Sequence, residues 1–346
     1  MCIRDSLLGG SFLGGGPRSQ VAWESVRAVA FESDDWGLAG FSPTAAAWDG
    51  LDRSSLDTGR FPAVYWESTL EDAAMVEGLA AILRSVRDAD GLPGLFQPNY
   101  VTSSLHWNPA AGEEGWTVFD MPDLPPTYER PGLWAAVERA VAAGLWHPEF
   151  HAAFHYDPDR RREAALASDL AREVTRRGIM LFPGSERARE LSPGRPLAER
   201  AREFDHALGV FAAHFGRPAR STMAPDYTWD ATMEDLWDRR GVRVVQGKRE
   251  QRHPGAGYGT ADRVRKFLGR RVDKVLRRGR VYLERNCRLE PVQAPDPAAV
   301  VDRCLAETRA AWRAGRPAVV ETHRVNFAHT DPAVVRTGQE ALADYL

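Results

Sequence analysis

Two adjacent carboxylates, Asp34 and Asp35, close the apolar run Ala28-Val29-Ala30-Phe31 within Glu32-Ser33-Asp34-Asp35-Trp36-Gly37. Like charges side by side repel, and a bound cation is the simplest justification for keeping both ionised. The segment from Trp146 to His155 then brings three of the chain's nine histidines, His147, His151 and His155, into nine residues. His151 and His155 are four apart, which on one helical turn puts both imidazoles on one face, able to hold one ion. His147 and His151 share that spacing. Leu145 to Phe150 reads as a strand, however, so His147 falls within it, while His151 stands at its mouth and His155 one turn on. His151 and His155 are therefore the expected pair. One Asp with two His suits Zn²⁺, with Co, Ni or Mn as alternatives, and leaves positions for water. Such an ion draws the pKa of water toward ~7 and polarises a carbonyl oxygen. The second carboxylate of the Asp34-Asp35 pair is then available as a general base.

Three further segments offer partners. Val319-Val320-Glu321-Thr322-His323-Arg324-Val325-Asn326-Phe327 is a buried-type run ending in polar residues. His323 is expected in the same mouth, able to protonate a leaving amine, with Arg324 and Asn326 fixing it or holding substrate. In Ser221-Thr222-Met223-Ala224-Pro225-Asp226-Tyr227-Thr228-Trp229, the residues Pro225, Asp226, Tyr227 and Trp229 are candidates for a sugar-binding wall. A backbone N–H near Tyr227 is a candidate oxyanion donor. Arg285-Asn286, after another strand-like run, and Gln97-Pro98-Asn99-Tyr100 are candidates for the same mouth. Each has a plainer alternative: a capping carboxylate pair for Asp34-Asp35, a core histidine for His323, and packed turns for the rest.

These residues need a scaffold that gathers strand ends. Strand-like runs fall near Arg27–Ser33, Leu95–Thr102, Leu145–His151, Ala219–Ala224, Val242–Gln246, Val281–Arg285 and Ala318–Thr322. Between them, helical spacing marks Glu71–Ala89, Gly132–Ala143, Asp159–Arg177, Leu197–Phe215, Thr232–Arg240 and Pro297–Ala314. Gly91, Gly144, Gly178, Gly216, Gly241 and Gly315 punctuate the helix ends. The alternation predicts an α/β fold, and about seven units predict a distorted (β/α)7-type barrel in a single domain, residues 23–346. Residues 1–22, rich in glycine, read as an irregular tail rather than a signal h-region.

The 346 residues carry 43% hydrophobic and 27% charged side chains and a formal net charge of −3, ordinary values for a globular protein that point to no nucleic acid. No apolar stretch approaches the ~18 to 20 residues of a membrane span. Cys2, Cys287 and Cys304 have neither metal-ligand spacing nor a disulfide framework, so a reducing, cytoplasmic setting is the simpler expectation. From Lys248 to Arg280, twelve Lys/Arg face three Asp/Glu. This basic insertion reads as a solvated face or as a contact for an anionic or lipid-carrier group.

On these motifs the chain resembles the polysaccharide deacetylase family, with the NodB-type carbohydrate esterase family 4 fold, over roughly Arg27 to Phe327. The Asp-Asp pair after the first strand, the His-x-x-x-His of His151 and His155 and the late His323 carry the likeness. It is nearer to a bacterial subgroup labelled polysaccharide (de)acetylase, with a Ser-Asp-Asp-Trp-Gly start and a His-Arg-Val-Asn-Phe end. The resemblance implies a distorted barrel, Asp34 as base, Asp35 with His151 and His155 as metal ligands, and His323 as acid. It also implies a carbohydrate substrate. Three departures stand out: Trp36 where the family carries glycine, Ala152 where it carries Ser/Thr, and Met223-Ala224-Pro225-Asp226-Tyr227 where it carries Arg-x-x-Pro. Neither the family's arginine for the base nor its aspartate for the acid can be placed from motifs. The leading expectation is a metal-dependent hydrolase that removes an acyl group, N-acetyl foremost, from a sugar. A glycoside hydrolase and a non-catalytic carbohydrate-binding barrel are the alternatives. Oligomeric state is not legible.

Overall fold

The computed structural model describes residues 23–55, 62–111, 115–180, 190, 195–248 and 280–346. The N-terminal tail and all but the two ends of the basic insertion lie outside the described residues.

Parallel strands β1 (Val29–Trp36), β2 (Phe96–Val101), β5 (Glu149–Ala152), β6 (Ser221–Met223), β7 (Val244–Gly247), β8 (Val281–Glu284), β9 (Cys287–Arg288) and β10 (Ala318–His323) make one curled sheet. Their order is β8-β7-β6-β5-β2-β1-β10-β9. β8 and β9 are consecutive in the chain yet stand at opposite ends of that order. The two residues between them link the edges. Arg285 N–H donates to the Gly247 carbonyl at 2.8 Å, and Asn286 N–H to the Val319 carbonyl at 3.1 Å. Residues 281–288 thus act as one stave, and the sheet closes as the distorted (β/α)7-type barrel that the alternation predicts. A hairpin of β3 (Ser103–Trp107) and β4 (Trp116–Asp120), which the periodicity did not mark, rises beyond the C-terminal end of β2.

The helices are α1 (Trp23–Val26), α2 (Ala73–Ser85), α3 (Leu133–Ala142), α4 (Pro158–Ala165), α5 (Asp169–Arg176), α6 (Leu197–Phe215), α7 (Ala231–Arg239), α8 (Pro297–Arg313) and α9 (Pro332–Tyr345). α2 shows the local logic. Asp72 caps it by accepting from Met75 N–H, and Val76, Leu79, Ala80 and Leu83 form its buried stripe. The expected single helix Asp159–Arg177 is two. Ser168 accepts from Ala171 N–H at 3.0 Å and starts α5 afresh, a side chain competing with the helical ladder. The six punctuating glycines all take positive φ. None of the described helices is long and apolar enough to cross a membrane.

The hydrophobic core lies between sheet and helices, where Trp36 meets Trp146 edge-on with ring centroids 5.0 Å apart and Phe96 stacks on Trp146 at 5.2 Å. The barrel interior is polar instead: Glu32, Asp34, Asn99, Gln246 and Arg285 are all buried there and bonded to one another. α9 presses close to the mouth. A Cβ built on Gly338 would stand 1.6 Å from the Asn326 carbonyl oxygen, in the turn that follows β10. Gly338→Ala is therefore expected to destabilise the protein by about 1–3 kcal/mol through overpacking. A thermal melt of the variant matching the wild type would refute this.

Candidate active site

Adjacent residues on a regular strand point to opposite faces, so Asp34 and Asp35 cannot share a mouth without a local device. The β1–β2 register shifts between Ser33 and Trp36, and Asp35 takes φ 72°. This bulge re-aims one carboxylate beside the other. Two residues after Asp35 the chain needs glycine: at Gly37, φ is 74° and a Cβ would come within 2.8 Å of the Tyr100 ring and the Val101 carbonyl.

His151 lies in β5, and His155 follows in a bend with φ 68°. The helical turn expected between them is absent; strand end and bend bring the rings to 5.0 Å instead. Phe154 N–H donates to Glu190 at 2.8 Å and helps to hold that bend. His151 Nδ1 sits 2.6 Å from the Met223 carbonyl, which can only accept, so Nδ1 donates there and Nε2 is the ring nitrogen turned to the cluster. That Nε2 is 3.4 Å from Asp35 Oδ1, and His155 Nε2 is 3.0 Å from the same oxygen. Ligand atoms of Asp35, His151 and His155 all lie within 4.8 Å of one another. Asp35 Oδ1 and His151 Nε2 are buried without a hydrogen bond. Buried polar atoms are rarely left so, and one carboxylate oxygen grouped with two imidazole nitrogens is the donor set of a borderline divalent ion. These residues fit such an ion. Burial resists ionisation of Asp35, but His155 and His151 outweigh it and hold the carboxyl well below its usual range. His147, by contrast, is 3.3 Å from Glu149 and apart from the cluster.

Asp34 has a different environment. Burial disfavours its charge, yet Arg285 overrules that and holds the carboxyl at about 2. Arg285 Nη1 donates to Oδ2 at 2.6 Å and Nη2 to Oδ1 at 2.7 Å, a bidentate fork, and Asn99 adds a bond at 2.8 Å. Arg285 Nε also reaches Glu32 at 2.8 Å. Expected as a substrate contact, Arg285 has a fully buried side chain and is the partner of the candidate base.

His323 sits opposite Asp34 in the β1–β10 register, its Nε2 3.9 Å from Asp34 Oδ2. Its Nδ1 is 2.5 Å from Glu290. Glu290 is in turn held by Asn326 and Gln293, each at 2.7 Å. Burial pulls the His323 pKa down, but Glu290, then Asp35 and Asp34, raise it to about 10. The sequence reading missed Glu290; its only signal was an acid shortly after the strand-like run at Val281. Glu290→Gln is expected to move the alkaline limb of any His323-dependent activity down by about one to three pH units, since a neighbouring charge shifts a pKa by that much. The sign follows from the raised pKa: the proton that Glu290 retains leaves at lower pH without it. An unmoved limb in the pH–rate profile would count against this.

The remaining candidates divide. Trp36, a substrate-binding candidate, and Trp229, a candidate for the sugar-binding wall, are fully buried, their indoles bonded to Ser33 and Glu234. Arg324 and Asn326 are also wholly interior. Asn286 is taken up by the Pro317 carbonyl and Val319 N–H, and Pro225 is buried. Asp226 is exposed and Tyr227 half-buried, both with left-handed backbone, φ 56° and 55°. The Tyr227 hydroxyl donates to Glu321 at 2.7 Å, and Lys248 pairs with the same carboxylate at 2.8 Å. Tyr227 N–H, next to the expected oxyanion donor position, is taken by the Ala224 carbonyl at 2.9 Å.

No family model and no curated protein matches the chain. Solved structures do. A proposed polysaccharide deacetylase from Mycobacterium smegmatis is 14% identical, with a TM-score of 0.41 over 91% of this chain and 82% of that one. A CE4 family pseudoenzyme from Bacillus anthracis is 8% identical, with a TM-score of 0.28 over 86% of this chain and 64% of its own. IcaB from Ammonifex degensii is 12% identical, with a TM-score of 0.27 over 70% of this chain and 96% of its own.

Proposed function

We propose that this protein is a metal-dependent hydrolase that removes an acyl group, N-acetyl foremost, from a carbohydrate. The observation that carries the reading is the unsatisfied, buried pair of Asp35 Oδ1 and His151 Nε2, set beside His155 and within one mouth of Asp34 and His323. Asp35, His151 and His155 would hold the ion, with zinc the first candidate. When bound, such an ion acidifies water and makes a carbonyl carbon a better electrophile. Asp34 is the base: its carboxylate stays ionised across the neutral range and takes a proton only from a strongly acidified donor. Arg285 and Asn99 fix its direction. His323, kept protonated by Glu290, hands its proton to the departing amine.

Glycoside hydrolysis fits less well, because it needs one carboxyl kept protonated. Asp34 is held at about 2, Asp35 lies well below its usual range, and Glu321 is lowered, since Arg285, His323 and Lys248 outweigh the effect of its burial; of the carboxyls that burial raises, Glu32 is bound to Arg285 and Glu190, pushed up to about 7, accepts from Phe154 N–H. The test is acetate release from N-acetylated sugar oligomers. Turnover lost to a chelator and restored by Zn²⁺ or Co²⁺ is the expected result. Cleavage of glycosidic bonds unaffected by chelator would move the glycosidase reading ahead. Saturable binding with no turnover under any ion would favour a binding barrel.

A further inference from the structure

Glu71 and Arg324 form an ion pair with no solvent exposure on either side chain, 3.3 Å from Arg324 Nη1 to Glu71 Oε2. Arg324 Nη1 also donates to the Leu38 carbonyl at 2.6 Å, and Gly37 N–H donates to Glu71 Oε1 at 3.0 Å. Leu38 N–H points back to the Asp35 carbonyl at 3.4 Å. The pair therefore grips, through two backbone groups, the turn that leaves Asp35. Arg324 is also the residue directly after His323. Its Nε and Nη2 are buried without hydrogen bonds. The mutual attraction of a buried pair with two such orphans is a poor source of stability; its folding contribution comes from the bonds to Gly37 N–H and the Leu38 carbonyl, two buried backbone groups. What the pair fixes is the separation of two turns, one following β1 and one following β10.

We propose that Glu71 and Arg324 are positioning residues that lock the Asp35 turn to the His323 turn, so that candidate metal ligand and candidate proton donor keep one geometry. The roles of Asp35 and His323 in this inference rest on the function proposed above. Lysine cannot replace Arg324 here: a point charge on a flexible stem does not serve the Leu38 carbonyl and Glu71 with the same directed donor.

The experiment uses the full chain with Co²⁺ as probe, in Arg324→Lys and in the apolar double variant Glu71→Leu with Arg324→Met. Both are expected to melt cooperatively, the double variant below wild type because the Gly37 N–H and the Leu38 carbonyl lose their partners. Co²⁺ affinity and kcat are expected to fall about 10- to 100-fold, the usual effect of losing an outer-shell partner, with KM changed far less. A stable double variant with wild-type Co²⁺ affinity and kcat would overturn the lock. If the double variant fails to fold, Arg324→Lys decides on the same readings. If the wild type binds no Co²⁺, the function reading fails on its own, and NMR of the His155 and His323 rings decides the lock. Shifts at both rings in Arg324→Lys would support it, and unchanged rings would overturn it.

Discussion

Arg285→Met is expected to lower stability by about 3–5 kcal/mol, the usual cost of breaking a buried ion pair by removing one partner. It is also expected to reverse part of the pH dependence of stability. The guanidinium is the shared counterion of Glu32 and Asp34, both buried inside the barrel. In the wild type the Asp34 carboxyl is held at about 2, below its ordinary value. A depressed carboxylate contributes stability above its unfolded pKa and loses it as the pH falls toward the folded one, so this contribution fades between about pH 4 and 2. Glu32 already lies above its ordinary value, because burial outweighs Arg285. Without the guanidinium, burial would raise both carboxyls. The folded variant then favours their protonated forms, and its stability is lost as the pH rises from about 4 toward 8. Denaturant melts at pH 4 and pH 8 decide the matter. A variant more stable at pH 8 than at pH 4, or one within 1 kcal/mol of wild type, would show that Arg285 is not the counterion the geometry makes it.

His151→Ala and Asp35→Asn are expected to abolish both metal uptake and turnover, whereas Asp34→Asn should keep the ion and lose turnover. The distinction follows from the two environments. His151 Nε2 and Asp35 Oδ1 are the orphaned atoms of the cluster. Both Asp34 oxygens are already engaged by Arg285 and Asn99. Three protein ligands are the usual complement of a catalytic zinc site, so loss of one leaves too few to hold the ion at ordinary concentrations. Elemental analysis of purified wild type should find about one divalent ion per chain, and His151→Ala should lack it. Full metal content in His151→Ala, or turnover in a metal-free variant, would sink the mechanism.

Much of the barrel was legible because β/α alternation, helix-ending glycines and period-3.6 stripes are local signals. α6 spans the residues its pattern marks, Leu197–Phe215. The hairpin of β3 and β4 escaped, because its strands show no clean alternation; every residue of β4 is at least partly exposed. α9 escaped for want of a following strand to complete a unit. Closure through residues 281–288 is a matter of which edges meet, and no spacing reports that.

In the site, residue type alone selected Asp34, Asp35, His151, His155 and His323, since few side chains ligate metals or carry protons and these cluster at strand ends. The sequence also named Arg285 but not its task, and it passed over Glu290 and Glu71. Only the tertiary structure decided those. An ionisable group's role depends on what else is buried within a few ångströms, and the partners stand far away in the chain: Arg285 beside Asp34, Glu290 beside His323, Arg324 against Glu71. It likewise decided that Asp34 and Asp35 share one mouth, through a bulge and a left-handed residue that the bare pair of letters does not contain. The sequence by itself determined which chemistry was available. Packing determined which atom faces which, because charge and hydrogen bonding act over distances that chain order does not record.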